Sequence, residues 1–139
     1  MSLEFVDTNI LIYAYDISAG HRHDRAFALI DRLGRQRLGA LSVQVLQEFY
    51  VTVTRKIAAP ITGEVAIERL RMFSRWPVYS PLAHDVISAA ELSQRSQISF
   101  WDAMIVHGAV QLGCDTLWSE DLNVGQVIDG VKKRSPFAS

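Results

Sequence analysis

Leu3-Glu4-Phe5-Val6-Asp7-Thr8-Asn9-Ile10 carries an apolar run straight into an acid and two small polar residues, and apolar spacing resumes in Leu11, Ile12 and Tyr13. The stretch reads as a buried first strand ending on Asp7, with a short helix after it. In an open parallel sheet, ligands bind beyond the carboxyl ends of the strands, so an acid there stands where chemistry usually takes place. The same residues have a second reading. Asp-Thr-Asn is a good helix N-cap cluster, whose side-chain oxygens accept the free backbone N–H groups of the helix that follows. What separates the two readings is whether other acids converge on Asp7.

The bulk properties narrow the classes. A chain of 139 residues is long enough to bury a core without disulfides or structural metal, and a single domain over 1–139 is expected. Charged residues make up 21% of it and no apolar run approaches the roughly 18 residues of a membrane span, so a globular protein is expected rather than a membrane one. No basic-then-apolar leader opens the chain and its single cysteine, Cys114, has no internal partner, which points to a reducing cytoplasm. A net charge of −1 argues against binding nucleic acid through an overall positive field. Action on nucleic acid would have to come from a local site.

Along the chain, a helix is expected from about His21 to Gly34, with Ala26, Phe27, Leu29, Ile30 and Leu33 on its apolar face. Its arginines, Arg22, Arg25, Arg32 and Arg35, are either a solvated helix surface or phosphate contacts, and His21-x-His23 lacks the second ligand pair of a zinc site. Gly39-Ala40-Leu41 reads as a second strand, after which Ser42 caps a helix to about Lys56. Glu48 lies amid its apolar pattern, beside Leu46, Phe49 and Tyr50. A carboxylate on or beside a core face is costly unless paired or bound to a cation; the plain alternative is a boundary acid pointing to water. A further helix runs from Thr62 to Arg75, Trp76 to Tyr79 returns as a strand, and a helix follows over His84 to Ser96.

Ser99-Phe100-Trp101-Asp102 then opens a helix with little polar face, as in one packed between neighbours. Ser99-x-x-Asp102 fits a capping box, so Asp102 has a structural duty available beside any chemical one. His107, on a different face, reads as a satisfied core or boundary histidine, and Cys114 as a packing residue. Asp115-Thr116-Leu117-Trp118 is the next buried strand, with Ser119-Glu120-Asp121 at its carboxyl end. The tail from Val127 holds one last short strand candidate, and Lys132-Lys133-Arg134 is too short for a nucleic-acid arm.

Alternating strands and helices predict a parallel sheet flanked by helices, with right-handed crossovers placing every strand's carboxyl end on one edge. Asp7 and Asp121 share that edge, and Asp102 and Glu48 can reach it. Two unit charges ~4 Å apart repel by about 4 kcal/mol at an effective dielectric of about 20, so converging acids call for a cation. Hard oxygen-only ligation favours Mg²⁺ or Mn²⁺ over zinc, and such a site suits phosphodiester hydrolysis. Kinase-type transfer is less suited for want of a Gly-rich loop with its lysine. An aspartyl-nucleophile phosphatase would want an acid where Asn9 stands.

Val6-Asp7-Thr8-Asn9, Gln47-Glu48-Phe49 with Arg55-Lys56, Trp101-Asp102-Ala103 and Ser119-Glu120-Asp121-Leu122 together resemble, in order and separation, the four acidic motifs of the PIN-domain family, and in particular its VapC-type toxins. The likeness runs from about Leu3 to Lys133. It implies a three-layer α/β/α sandwich with a central, mostly parallel sheet of four to five strands. It also implies a Mg²⁺- or Mn²⁺-dependent endoribonuclease acting on RNA, a homodimer, and an antitoxin partner whose tail covers the acidic site. Carried over by residue, Asp7, Glu48, Asp102 and Asp121 are the acidic quartet, and Thr8, Asn9 and Ser119 support ligands and waters. Helix capping then falls mainly to Thr8 and Asn9, leaving Asp7 to the metal. Glu120 competes with Asp121 for the fourth place, since successive residues leaving a strand can point to opposite sides; the family motif favours Asp121. The rival reading is a non-catalytic interaction module on the same fold. A structure-specific DNA nuclease is disfavoured by the absence of an added arch or DNA-binding element.

Overall fold

The structure is a computed structural model that describes residues 1–120 and 123–138. In chain order it runs β1 (Glu4–Val6), α1 (Thr8–Tyr13), a 3-10 turn (Ile17–Ala19), α2 (His21–Gln36), β2 (Gly39–Ser42) and α3 (Val43–Arg55). There follow α4 (Gly63–Phe73), β3 (Val78–Tyr79), α5 (Ala83–Ser96), α6 (Phe100–Gln111), β4 (Thr116–Trp118), β5 (Val127–Ile128) and β6 (Val131–Arg134). The sheet has six strands in the order β3-β2-β1-β4-β6-β5, all neighbours parallel except the β5–β6 hairpin. The expected α/β class and mostly parallel sheet are therefore present. The strand count exceeds the expected four to five because the tail supplies two strands. Asp129 and Gly130 both take positive φ, 49° and 85°, and turn the chain between Ile128 and Val131. Asp-Gly between apolar residues is the strongest short hairpin signal a sequence offers.

β1 lies at the centre because its residues tolerate burial on both faces: Phe5 and Val6 are fully buried, as are Ala40 and Leu41 of β2, and Leu117 of β4 is nearly so. Such strands read as short continuous apolar runs. α6 is apolar almost all round and packs against β2, β3, β4 and β6 on one side and α5 on the other, as expected of an enclosed helix. α2 packs on β2 and α1, and α3 on β2, α1 and α4. Beneath them Phe49, Phe73, Tyr15 and Trp76 meet edge to face at centroid distances of 5.1–6.1 Å, an arrangement aromatic quadrupoles favour.

Several boundaries differ from expectation, and two of them have a clear cause. α2 continues past Gly34 to Gln36 and closes when Arg37 takes a left-handed conformation (φ 56°), the Leu38 N–H reaching the Leu33 carbonyl at 3.0 Å. β3 is only Val78–Tyr79, because Trp76 leaves the strand to pack on Phe73 and over Gly39. The Lys132-Lys133-Arg134 cluster lies in β6, where Lys133 is buried and Arg134 sits over the Trp118 ring at 4.6 Å.

Gly39 is the tightest point of this packing: a Cβ there would stand 2.3 Å from the Trp76 ring, whereas one on Gly34 would stand 3.7 Å away. Gly39→Ala should destabilise the fold by about 1–3 kcal/mol through overpacking. Gly34→Ala, in the helix, should stabilise it by about 0.5–1 kcal/mol. Urea denaturation of the two variants beside wild type checks both signs.

Candidate functional site

Asp7 leaves β1 with extended backbone, and its N–H continues the ladder by donating to the Trp118 carbonyl at 2.9 Å. The residue is 9% exposed. Its Oδ1 accepts the Thr8 N–H at 2.7 Å, which makes Asp7 itself the N-cap of α1. The assignment of capping to Thr8 and Asn9 is thus corrected: the helix already includes both, so neither has the extended backbone an N-cap needs. Capping and ligation do not exclude each other, since a carboxylate offers about four lone-pair positions. The second oxygen, Oδ2, accepts from the Ser119 hydroxyl at 2.9 Å. Ser119 is 2% exposed and is fixed in turn by its own N–H, which donates to the Arg134 carbonyl at 2.9 Å.

From Asp7 the line continues to α3, where the Thr8 hydroxyl donates to Glu48 Oε1 at 2.7 Å. Glu48 is exposed, so the argument from a costly buried carboxylate does not hold for it; what places it is the contact with Thr8. Asn9 is half-buried in the first turn of α1. Asp102 is half-buried in the first turn of α6. Ser99 caps that helix by accepting the Asp102 N–H at 3.0 Å, but among the described residues the Asp102 carboxylate returns no hydrogen bond and enters no ion pair. Only half of the expected capping box is formed, which leaves that carboxylate available.

Asp121 lies outside the described residues. Its neighbour Glu120 is committed elsewhere: Oε1 accepts the Tyr13 hydroxyl at 2.6 Å, and Oε2 pairs with Arg22 Nε. Burial raises the Glu120 carboxyl, but the bonds from Tyr13 and Arg22 outweigh it and the net shift is downward. Ser119, Asp7, Thr8 and Glu48 thus form one hydrogen-bonded line across β4, β1, α1 and α3, while among the described residues the Asp102 carboxylate joins it by no hydrogen bond or ion pair. Among the described residues no three acids, histidines or cysteines stand together as a metal cluster. The donor chemistry nevertheless fits a hard cation: the oxygens come from carboxylates and hydroxyls, and neither Glu48 nor Asp102 enters an ion pair among the described residues.

The PIN domain family model matches residues 5–128, nearly the whole chain. This chain belongs to the PIN domain family. A curated relative, Ribonuclease VapC48 of Mycobacterium tuberculosis, is 28% identical over 151 residues, covering 97% of this chain and 98% of the relative. Among solved structures, the fold is similar to VapBC2 from Rickettsia felis bound to a DNA fragment from its promoter, with a TM-score of 0.66, 20% identity and coverage of 96% of this chain and 98% of that one. It is also similar to VapC20 of Mycobacterium tuberculosis, a sarcin-ricin-loop-cleaving toxin, with a TM-score of 0.66, 21% identity and coverage of 92% and 98%.

Sequence reasoning missed two groupings in this PIN domain. The Tyr13–Arg22–Glu120 contact joins residues more than ninety positions apart and has no periodic signature. The other explains His107, whose Nε2 donates to Asp85 Oδ1 at 2.8 Å while Asp85 Oδ2 accepts the Leu82 N–H at 2.8 Å. The Leu82 N–H and then His107 hold the Asp85 carboxyl down to about 2. His107 is therefore satisfied by a carboxylate, as expected. Cys114 is buried and its thiol is pushed up to about 12, mainly by that burial, which fits a packing role.

Two outcomes follow from these contacts. Ser99→Ala should lose about 1 kcal/mol of stability with the cap, whereas Asp102→Asn should leave the metal-free melting temperature nearly unchanged; thermal melts of both compare them. Asp85 binds its proton less readily folded than unfolded, so its contribution is complete above about pH 4 and is lost as the pH falls through about 2. Acid unfolding followed by circular dichroism should show that slope in wild type and a flatter one in Asp85→Asn.

Proposed function

We propose that this PIN domain is a divalent-metal-dependent endoribonuclease that hydrolyses RNA phosphodiester bonds, the toxin of a toxin–antitoxin pair, working in the cytoplasm as a single domain over 1–139. The observation that carries the reading is the hydrogen-bonded line Ser119–Asp7–Thr8–Glu48 at the carboxyl ends of β1 and β4. In it two acids are oriented by hydroxyls and a backbone N–H, and a carboxylate offers about four lone-pair positions in all. The relative named as a ribonuclease aligns across almost the full length, which supports the same assignment.

In this reading Asp7, Glu48, Asp102 and Asp121 hold Mg²⁺ or Mn²⁺, with Thr8, Asn9 and Ser119 supporting them. When bound, a divalent ion supplies an activated water and stabilises charge on the leaving oxygen. The chain's own part is positional. Asp7 is held at both oxygens, through α1 by its cap and through β4 by Ser119, so it keeps one orientation. Thr8 sets Glu48 at a fixed distance from that cap. Rigid placement of first contacts by such neighbours is what a working site requires.

An antitoxin partner is supported by the solved toxin–antitoxin complexes that share the fold. A groove of about 750 Å³ between α2, α4 and β2 offers room for a segment of it, with Tyr15, Leu33 and Trp76 on its walls and Arg35, Arg69 and Arg75 around them. A homodimer completes the proposed assembly. The non-catalytic alternative draws on the absence of a three-acid cluster among the described residues.

Asp7→Asn separates the two. Asn caps a helix as well as Asp does, so the variant should fold with an unchanged circular dichroism spectrum. Cleavage of pooled RNA by wild type in Mg²⁺ or Mn²⁺ should fall to background in this variant and in wild type with EDTA. Undiminished cleavage by the variant, or none by wild type with either metal, would sink the ribonuclease reading.

A further inference from the structure

Glu120 follows Ser119 directly, so whatever holds its carboxylate also holds the segment from which the Ser119 hydroxyl reaches Asp7. Two separate parts of the chain meet at that carboxylate and a third packs behind them. Tyr13, at the end of α1, donates its hydroxyl at 2.6 Å, and Arg22, in the first turn of α2, forms the ion pair. The C-terminal tail closes the group from behind. Phe137 lies under the Arg22 guanidinium at 5.5 Å and edge-on to the Tyr13 ring at 5.5 Å. Further contacts fix the supports: Arg25 Nη1 donates to the Pro136 carbonyl at 3.4 Å, and His23 Nδ1 is 2.9 Å from the Tyr13 carbonyl.

Stability alone is a weak account of this arrangement. The Arg22 side chain is 52% exposed, and an ion pair so open to water contributes little to folding. Its geometric effect bears on the site. Without Arg22 the Glu120 carboxylate keeps only the Tyr13 hydroxyl, so the segment that carries the Ser119 hydroxyl to Asp7 loses one of the two side chains that anchor it.

We propose that Arg22 is a positioning residue for the acidic site, acting through Glu120 with Tyr13 and Phe137 as supports, so that the C-terminal tail is part of the site's framework. This rests on the metal-dependent ribonuclease reading. The test uses the full chain with Arg22→Ala, Arg22→Lys, Phe137→Ala, Glu120→Gln and the double variant Arg22→Ala/Glu120→Gln. It measures kcat and KM for RNA cleavage in Mn²⁺ and, without RNA, Mn²⁺ affinity by electron paramagnetic resonance titration.

Arg22→Ala should lower kcat and Mn²⁺ affinity by on the order of 10-fold, the low end of what losing a direct partner of a metal ligand costs, since Arg22 acts on Asp7 through Glu120 and Ser119, with KM little changed. Phe137→Ala should act in the same direction by less, and Arg22→Lys should recover part of the loss. In the Glu120→Gln background, Arg22→Ala should add nothing. A raised KM with unchanged kcat and Mn²⁺ affinity, equal in both backgrounds, would mean that Arg22 contacts RNA and would overturn the proposal. Wild-type values in all variants would overturn it as well. Should Arg22→Ala fail to fold, Phe137→Ala and Arg22→Lys carry the same comparison. If wild type binds Mn²⁺ but cleaves no RNA, the ribonuclease reading fails by itself, and the affinity of Arg22→Ala still decides: weakened upholds the positioning role, unchanged overturns it. Absence of Mn²⁺ binding by wild type overturns both.

Discussion

The hydrogen bond from the Ser119 hydroxyl to Asp7 depends on a single pairing, that of β1 with β4. These strands are parallel neighbours with Val6 opposite Trp118, so the next residue of each, Asp7 and Ser119, comes off the same edge side by side. An antiparallel partner would have sent one of the two to the far edge. The parallel pairing in turn requires a long crossover, which here is most of the chain. A buried carboxylate needs hydrogen bonds wherever it stands. Asp7 draws them from α1, which it caps, and from β4, which is held against it, so the two elements cannot shift independently without breaking the site.

Below that edge a second network ties the same strands together. Glu4 accepts from Arg32 of α2 at 3.0 Å and from the Trp118 indole N–H at 2.9 Å, while Arg134 of β6 covers the Trp118 ring. Burial raises the Glu4 carboxyl, yet the bonds from Arg32 and Trp118 carry it below its ordinary value. β1, β4, β6 and α2 are thereby tied together, from Glu4 at the start of β1 to Trp118 and Arg134 at the ends of β4 and β6. The site is thus carried by strands joined by side-chain contacts as well as by the sheet ladder.

Most of this architecture was legible in the sequence because burial on both faces leaves a plain record. Phe5-Val6, Ala40-Leu41 and Leu117-Trp118 are apolar runs too short to be helices, and Ser42, Thr62 and Ser99 are caps of ordinary type with their expected backbone N–H partners. The failures are those of position rather than of element. Asp7 against Thr8 as N-cap turns on one residue of backbone conformation, which composition does not reveal. Glu48 stands among apolar neighbours in sequence, but a helix places adjacent residues on different faces, and of its two readings the exposed boundary acid is the one the structure has. Asp129-Gly130 is a readable hairpin signal that stands beside the basic cluster of the tail. The contact of Glu120 with Tyr13 and Arg22 had no readable signal, since it is made by tertiary structure alone.

The acids of the chain sort by the kind of partner they keep, and that sorting is informative about where positive charge is wanted. Glu4, Asp31, Glu120 and Asp129 are each answered by an arginine. Asp7, Glu48 and Asp85 accept instead from hydroxyls, a backbone N–H or an imidazole. Three of the four arginines considered for phosphate contact, Arg22, Arg32 and Arg35, are thus already engaged with acids of the chain. A dipolar partner orients a carboxylate without cancelling its charge, whereas a guanidinium does both. At the carboxyl edge of the sheet the Arg22 guanidinium pairs with Glu120, the residue after the Ser119 whose hydroxyl holds Asp7. In the proposed reading, the hydroxyl contacts orient Asp7 and Glu48 while the guanidinium offsets the charge of Glu120 beside them, a division of labour that suits an added cation at that edge.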